Sequence, residues 1–289
     1  MKINRRQFTA TALGSLPLAS VAMRTALGAE PKSDYEFKLG LVTYNWGKGW
    51  DVATLIRNCE STLFGGVELR STHKHGVEIT LGKTERREVA KRFADSKVEL
   101  VGLGSACEYH SPDQAVVKKN IEDTKAFVKL CHDVGGKGVK VRPNGIPKGV
   151  PVEKTLDQIG NSLREVAKFA KEYDVKIRVE VHGRESAKLP YIKSMMDTAD
   201  HPNAVVCWNC NPTDLADQGL NHNFDLVKKK IEIIHIHDLR NDNYPWKSIF
   251  GLLKKANFKG WTLLEEGKMP KDIVAAMREN RSVWEQLAK

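Results

Sequence analysis

Hydrophobic positions in this chain gather into eight short runs, and stretches with helical spacing fill the gaps between them. The runs lie at 38–44, 65–69, 98–104, 137–142, 176–182, 204–209, 232–238 and 261–265. They are mostly β-branched and apolar, which predicts parallel strands buried on both faces. Helices are expected at 51–63, 84–96, 112–134, 153–173, 188–199, 223–230, 246–256 and 270–287. Asp51 can cap the first, Thr84-Glu85 begins the second, and Ser111-Pro112-Asp113 opens the third with Pro in its first turn. Gly135-Gly136 ends that third helix as a left-handed cap would. Eight strands, each followed by a helix, predict an α/β chain folded as a (β/α)8 (TIM) barrel. A doubly wound sheet would carry a Gly-rich phosphate loop after an early strand, and none is present.

Alternation then sorts the strand residues into two faces. In the fifth strand Val175, Ile177, Val179 and Val181 share one face, and Lys176, Arg178, Glu180 and His182 share the other. The apolar set must face the helices, so Glu180 and His182 point into the barrel. By the same parity His235 and His237 point inward on the seventh strand, and Cys207, Asn209 and Asn211 share a face on the sixth. Leu263 goes with Glu265, Glu68 with Arg70, and Lys140 with Arg142. Carboxylates, amides, imidazoles and cations thus converge at the carboxyl ends of the strands. Burying them without partners would be costly, and a metal ion and a polar substrate would satisfy them.

Glu180, Asn209, His235 and Glu265 form a mixed oxygen and nitrogen set suited to a divalent ion, Mn2+, Mg2+, Co2+ or Zn2+, with open positions for substrate. Such an ion can hold adjacent oxygens of a sugar and polarise its carbonyl. A carboxylate beside the polarised carbon can then remove a proton to give an enediolate. Returning the proton elsewhere isomerises or epimerises; losing a β-oxygen eliminates. Glu68, Lys140, Arg142, His182, Asn211 and His237 are the candidates for substrate contact. Asp238 and Glu266 fall out of phase with this set, as a cap or supporting group and a loop carboxylate.

Charge and cysteine usage narrow the class. Of the net +10, Lys2, Arg5, Arg6 and Arg24 place +4 in residues 1–29, which hold no acid. The remaining charges are well mixed, without the basic stripe and interleaved aromatics of a nucleic-acid surface. Residues 1–29 read as an export signal: Arg5-Arg6 precede a broken apolar stretch and a small-residue end near Leu27-Gly28-Ala29. The paired arginines resemble a twin-arginine signal, which implies a periplasmic protein. The apolar part is too short and interrupted for a membrane span. Five cysteines are an odd number, not a disulfide framework. Cys207 and Cys210 fall on opposite faces of one strand and read as buried thiols.

Together these motifs resemble the xylose isomerase-like barrel superfamily, the sugar phosphate isomerases/epimerases, from about Phe37 to residue 289. Glu180-Val181-His182 matches its strand-five pattern, and His235-Ile236-His237-Asp238 its strand-seven step. Gly260 followed by Glu265 matches the end of its strand eight. The resemblance implies that Glu180 and Glu265 act as paired acid/base groups on either side of a sugar. Two positions depart from the pattern: Asn209 stands where the family has Asp, and Pro212 where it has His. Asn211 or Asp214 is then the candidate to replace that His. The apurinic endonuclease branch, with its larger zinc cluster, matches poorly. The expected function is a metal-dependent isomerase or epimerase acting on a non-phosphorylated sugar or sugar derivative, since export separates it from cytoplasmic sugar phosphates. A lyase or hydratase acting on 3-keto-glycosides is the rival enzyme. A sugar-binding barrel without catalysis is the rival from another class.

Replacing Arg5 and Arg6 together with Lys should trap precursor inside the cell. Fractionation followed by immunoblotting reads this, and unchanged secretion would point to the general secretory route.

Overall fold

A computed structural model describes residues 36–289, and the export segment read at 1–29 lies outside them. Eight parallel strands close into a barrel in the order β1 to β8, each followed by a helix. The units are β1 Lys38–Val42 and α1 Val52–Thr62, β2 Gly66–Arg70 and α2 Lys83–Ala94, β3 Glu99–Glu108 and α3 Gln114–Asp133, and β4 Gly138–Arg142 and α4 Val152–Lys171. They continue with β5 Lys176–Glu180 and α5 Leu189–Ala199, β6 Ala204–Trp208 and α6 Gly219–Val227, β7 Ile231–Ile236 and α7 Trp246–Lys255, and β8 Trp261–Leu264 and α8 Ile273–Ala288. Among the described residues no helix is long and apolar enough to cross a membrane.

Local chemistry sets the helix starts. Asp51 caps α1 by accepting from Thr54 N at 2.8 Å. The start expected at Pro112 moves to Gln114, because the Asp113 carboxylate accepts from Ala115 N at 2.8 Å and makes Asp113 the cap. Glu85 accepts from Gly82 N at 2.7 Å, which starts α2 one residue before Thr84. Helix α8 begins later than expected, at Ile273, where Asp272 accepts from Ala275 N. The sixth helix begins earlier than expected, after a 3-10 turn at Pro212–Leu215. Gly135, with φ 86°, ends the α3 region as anticipated.

The alternation of side chains holds. Ile177, Val179, Val181, Val206, Trp208, Ile234 and Ile236 face the helices in the main core. Val42, Val101, Cys207, Ile233 and Leu263 form a second apolar cluster inside the barrel, capped below by Trp261. All five cysteines are free and buried, with Cys207 inside and Cys210 in the outer core. At the amino end Arg178 fills the interior. Its Nε lies 2.7 Å from Glu232 Oε2, and its Nη1 donates to Val101 O at 2.9 Å. Glu232 can turn toward it because the β6–β7 register skips that residue: Val206 faces Ile231 and Cys207 faces Ile233. This pair was not anticipated from the alternation pattern.

Gly138 leaves the space for the Arg178 guanidinium; a Cβ there would overlap its Nε and Cζ. The ion pair to Glu232 and the bond to Val101 O keep Arg178 from moving aside. Gly138→Ala should therefore destabilise the barrel by about 1–3 kcal/mol, the usual cost of overpacking. Urea denaturation measures this, and an unchanged midpoint would mean that the guanidinium relocates freely.

Candidate metal centre

Above the apolar layer, at the carboxyl ends of the strands, the barrel axis turns polar. Glu180, His235 and Glu265 come from β5, β7 and the residue after β8. One donor atom of each lies within 4.8 Å of the others, and all three residues are buried. His235 Nδ1 is 3.5 Å from Glu180 Oε1 and 3.3 Å from Glu265 Oε2. Asn209, which follows β6 on the inward parity, is buried too, and its Oδ1 has no hydrogen-bond partner. Neither ring nitrogen of His235 has one either. An unpartnered Asn209 Oδ1, and an unpartnered His235 Nδ1 between two carboxylates, fit a cation far better than they fit a packed core.

The charges agree. Burial opposes the charge of Glu180, but the Lys140 ammonium and His235 outweigh it and hold its carboxyl well below the usual range. Lys140 Nζ donates to Glu180 Oε2 at 2.7 Å, with both side chains almost wholly enclosed. That leaves Oε1 as the Glu180 oxygen turned toward His235. Glu265 is also lowered: burial raises it, and His235 more than compensates. Burial depresses His235, but Cys207, Glu265 and Glu68 hold it well above its ordinary value. Since burial pushes the Cys207 thiol up to about 11, that thiol is neutral at neutral pH, and the carboxylates supply the field. The layer attracts positive charge strongly.

The residues expected to touch substrate divide into two groups. Glu68 has no exposed surface and lies against His235, with Oε1 3.5 Å from Nε2. Lys140 is committed to Glu180. These two belong to the enclosed charge layer, because their strand positions sit below the mouth. Arg142 is tied to Glu108 Oε1 at 2.6 Å, which Asn144 also contacts, and His182 Nδ1 is 3.0 Å from Asn144 Oδ1. Glu108 was not anticipated, because β3 runs beyond the expected end at 104 to residue 108 and carries it to the rim. Only Gly183, with φ 98°, lets the β5 loop pass Asn144 here, since a Cβ would lie 2.6 Å from the Asn144 Cα.

Asn211 and His237 line a cavity of about 730 Å³ beside the centre, with Arg240, Asn241, Trp246 and Met269 on its walls. His237 also braces the site: Nδ1 lies 2.7 Å from Glu265 O and Nε2 3.2 Å from Asn209 O. Asn211 Nδ2 donates to Val181 O at 2.7 Å. Asp214 is not free to replace the missing His. It is fully buried, accepting from Tyr244 Oη at 2.8 Å and from Asn211 N at 2.9 Å. Asp238 supports the rim by accepting from Arg240 and Asn280. Glu266 is a loop carboxylate that accepts from Asp238 N and Lys268 N.

A closed parallel eight-stranded barrel with its polar cluster at the carboxyl ends of the strands belongs to the catalytic (β/α)8 architecture. The sequence pattern of the xylose isomerase-like TIM barrel family matches residues 56–287, and the chain belongs to that family. Among solved structures it is similar to a 3-keto-D-glucoside 4-epimerase, YcjR, from E. coli. The two are 12% identical with a TM-score of 0.73, over 86% of this chain and 99% of that one. An L-ribulose 3-epimerase is 15% identical with a TM-score of 0.73, over 87% of this chain and 94% of its own. The IolI protein with a zinc atom is 16% identical with a TM-score of 0.74, over 87% of this chain and 98% of its own.

Burial pushes the Asp214 carboxyl up to about 7, against the lowering bonds from Tyr244 and Asn211. The unfolded chain releases this proton near pH 4. Between about pH 4 and about pH 7 the folded state holds a proton that the unfolded state has lost, so stability from this group falls as pH rises. Asp214→Asn should remove that dependence. Urea melts should show the variant gaining on the wild type across this window, and parallel profiles would contradict the assignment.

Proposed function

We propose that this protein is a metal-dependent sugar isomerase or epimerase that acts through an enediolate on a non-phosphorylated sugar or sugar derivative, after export to the periplasm. The observation that carries the reading is the buried convergence of Glu180, His235 and Glu265 beside an open cavity. Glu180, Asn209, His235 and Glu265 would hold the ion, and zinc in one structural relative is consistent with that. When bound, a divalent ion supplies polarisation of a substrate carbonyl and a pair of open positions for adjacent hydroxyls.

The chain's own residues divide the remaining work. Lys140 keeps Glu180 ionised through Oε2, so Glu180 is a weak base and chiefly a fixed anion. Glu265 has the more exposed side chain, 10% against 2% for Glu180. It directly precedes Glu266 and Gly267 of the cavity wall and is the better candidate to take a proton from a sugar carbon. Glu180, held ionised by Lys140, carries no proton at neutral pH, so it returns one only if it first takes one up, and a bound water is the other candidate for that step. His237 fixes the backbone that carries Glu265. Asn211 and Arg240 on the cavity wall can accept and donate hydrogen bonds to hydroxyls.

A second reading rests on the cavity. About 730 Å³ is room for a drug-sized ligand, more than one sugar ring needs. That favours a glycoside, and with it elimination or hydration of a 3-keto-glycoside using the same first proton transfer. A 3-keto-glucoside epimerase among the structural relatives is compatible with such a substrate.

Glu265→Gln keeps an oxygen donor and loses the base. It should still bind metal and sugar, yet exchange the substrate proton with D2O at least ~10²-fold more slowly, the usual size of a general-base contribution. NMR of ketoses and 3-keto-glycosides in D2O measures the exchange, and product analysis separates epimerisation from elimination. Wild-type exchange in the variant would remove Glu265 from the mechanism. No exchange in the wild type with any of these sugars would favour a binding protein.

A further inference from the structure

We infer that Glu68 is the positioning residue for His235: it holds the Nε2 proton and so presents Nδ1 to the ion. This rests on the metal reading above, but its evidence is separate. The two nitrogens of an imidazole point away from each other across the ring. On one edge Nδ1 faces Glu265 Oε2 at 3.3 Å and Glu180 Oε1 at 3.5 Å. On the other edge Nε2 faces Glu68 Oε1 at 3.5 Å. An ion shared with Glu180 and Glu265 therefore lies on the Nδ1 edge, with Glu68 on the far side of the ring. Glu68 is also outside the group whose donor atoms converge within 4.8 Å.

Glu68 has little other employment. It is wholly buried, and neither of its carboxylate oxygens has a hydrogen-bond partner among the described residues. Lys140 is the nearby cation, and its ammonium is directed at Glu180 instead. Space is kept for the Glu68 carboxylate by Gly104, where an added Cβ would lie 3.1 Å from Oε1. A carboxyl group buried without a partner is costly, and among the described residues the ring nitrogen that faces it is His235 Nε2. Closing the gap by about half an ångström gives a hydrogen bond of ordinary length. A neutral imidazole carries one proton, so fixing it on Nε2 leaves the Nδ1 lone pair free for the ion. A carboxylate behind a ligating His also raises its basicity and locks the ring orientation.

The test uses the chain purified free of metal, with Zn2+ alone as the probe. Binding is followed by calorimetry, and the His235 ring by ¹⁵N NMR of ¹⁵N-His-labelled protein. In the Zn2+-loaded wild type the His235 proton should sit on Nε2. Glu68→Gln keeps an acceptor oxygen and should bind Zn2+ within a few-fold of wild type. Glu68→Leu removes the acceptor at similar volume and should weaken Zn2+ about 10–100-fold, the usual cost of losing such a partner. It should also abolish the protected Nε2 proton signal. Three results would overturn the inference: a proton on Nδ1 in the loaded wild type, Zn2+ affinity in Glu68→Leu equal to wild type, or a loss in Glu68→Gln as large as in Glu180→Gln, which would make Glu68 a ligand. The first needs no variant, so it stands even if Glu68→Leu fails to fold. If the wild type takes up no Zn2+, the metal reading fails; the protected Nε2 proton in wild type and Glu68→Leu then decides the positioning role by itself.

Discussion

Ionised groups enclosed in a barrel lose most of their hydration and must be balanced by one another. This constraint organises the interior. At the amino end the buried Arg178 pairs with Glu232, whose side chain is 31% exposed, and donates to Val101 O as well. Above it comes an apolar layer of Val42, Val101, Cys207, Ile233 and Leu263. At the carboxyl end three carboxyl groups, Glu68, Glu180 and Glu265, gather around the Lys140 ammonium and the His235 ring. A buried ion pair contributes little to stability by itself, and an unbalanced one costs. The upper layer is therefore poor design for a scaffold and good design for a site that gathers positive charge.

Asn209 fits the same accounting. With Asp there, a fourth carboxylate would stand in this layer. The amide keeps an oxygen donor without the charge, and Lys140 reduces the negative charge further through Glu180. Both features act in one direction: they lower the attraction for a dication relative to an all-carboxylate set. The rim supplies the opposite kind of order, through backbone. His237 spans the carbonyls of Asn209 and Glu265, Asn211 ties the β6 loop to Val181, and Asn280 joins Leu239 N to Asp238. Loops anchored in this way hold donor side chains still, and a metal or substrate site needs such rigidity more than it needs extra contacts.

What was legible in the sequence follows from periodicity. A strand has a side-chain period of two, so parity alone put Glu180, His182, His235, His237 and Glu265 inside, and Cys207 and Cys210 on opposite sides. The eight-fold recurrence of strand and helix gave the barrel. Parity could not give depth. Glu68 and Arg142 are both inward on their strands, yet one is enclosed against His235 and the other reaches the rim and pairs with Glu108. It also fails where the register slips. The skipped residue between β6 and β7 turns Glu232 toward Arg178, and nothing in the alternation of IEIIHI announces that.

The sequence by itself determined the fold class, the inward set and the end of the barrel where chemistry gathers, because those depend on local period and on strand ends. Which inward groups face one another was decided only by closure. Glu68 and His235 are 167 residues apart in number order and meet because β2 and β7 lie across one small barrel from each other. Lys140 meets Glu180 because β4 and β5 are neighbours in register, with Lys140 beside Arg178. Asp214 reads in the sequence as a candidate to replace the missing His, and only packing against Tyr244 buries it. Distances between side chains from different strands are set by strand stagger and barrel radius, and no single segment of the chain encodes either.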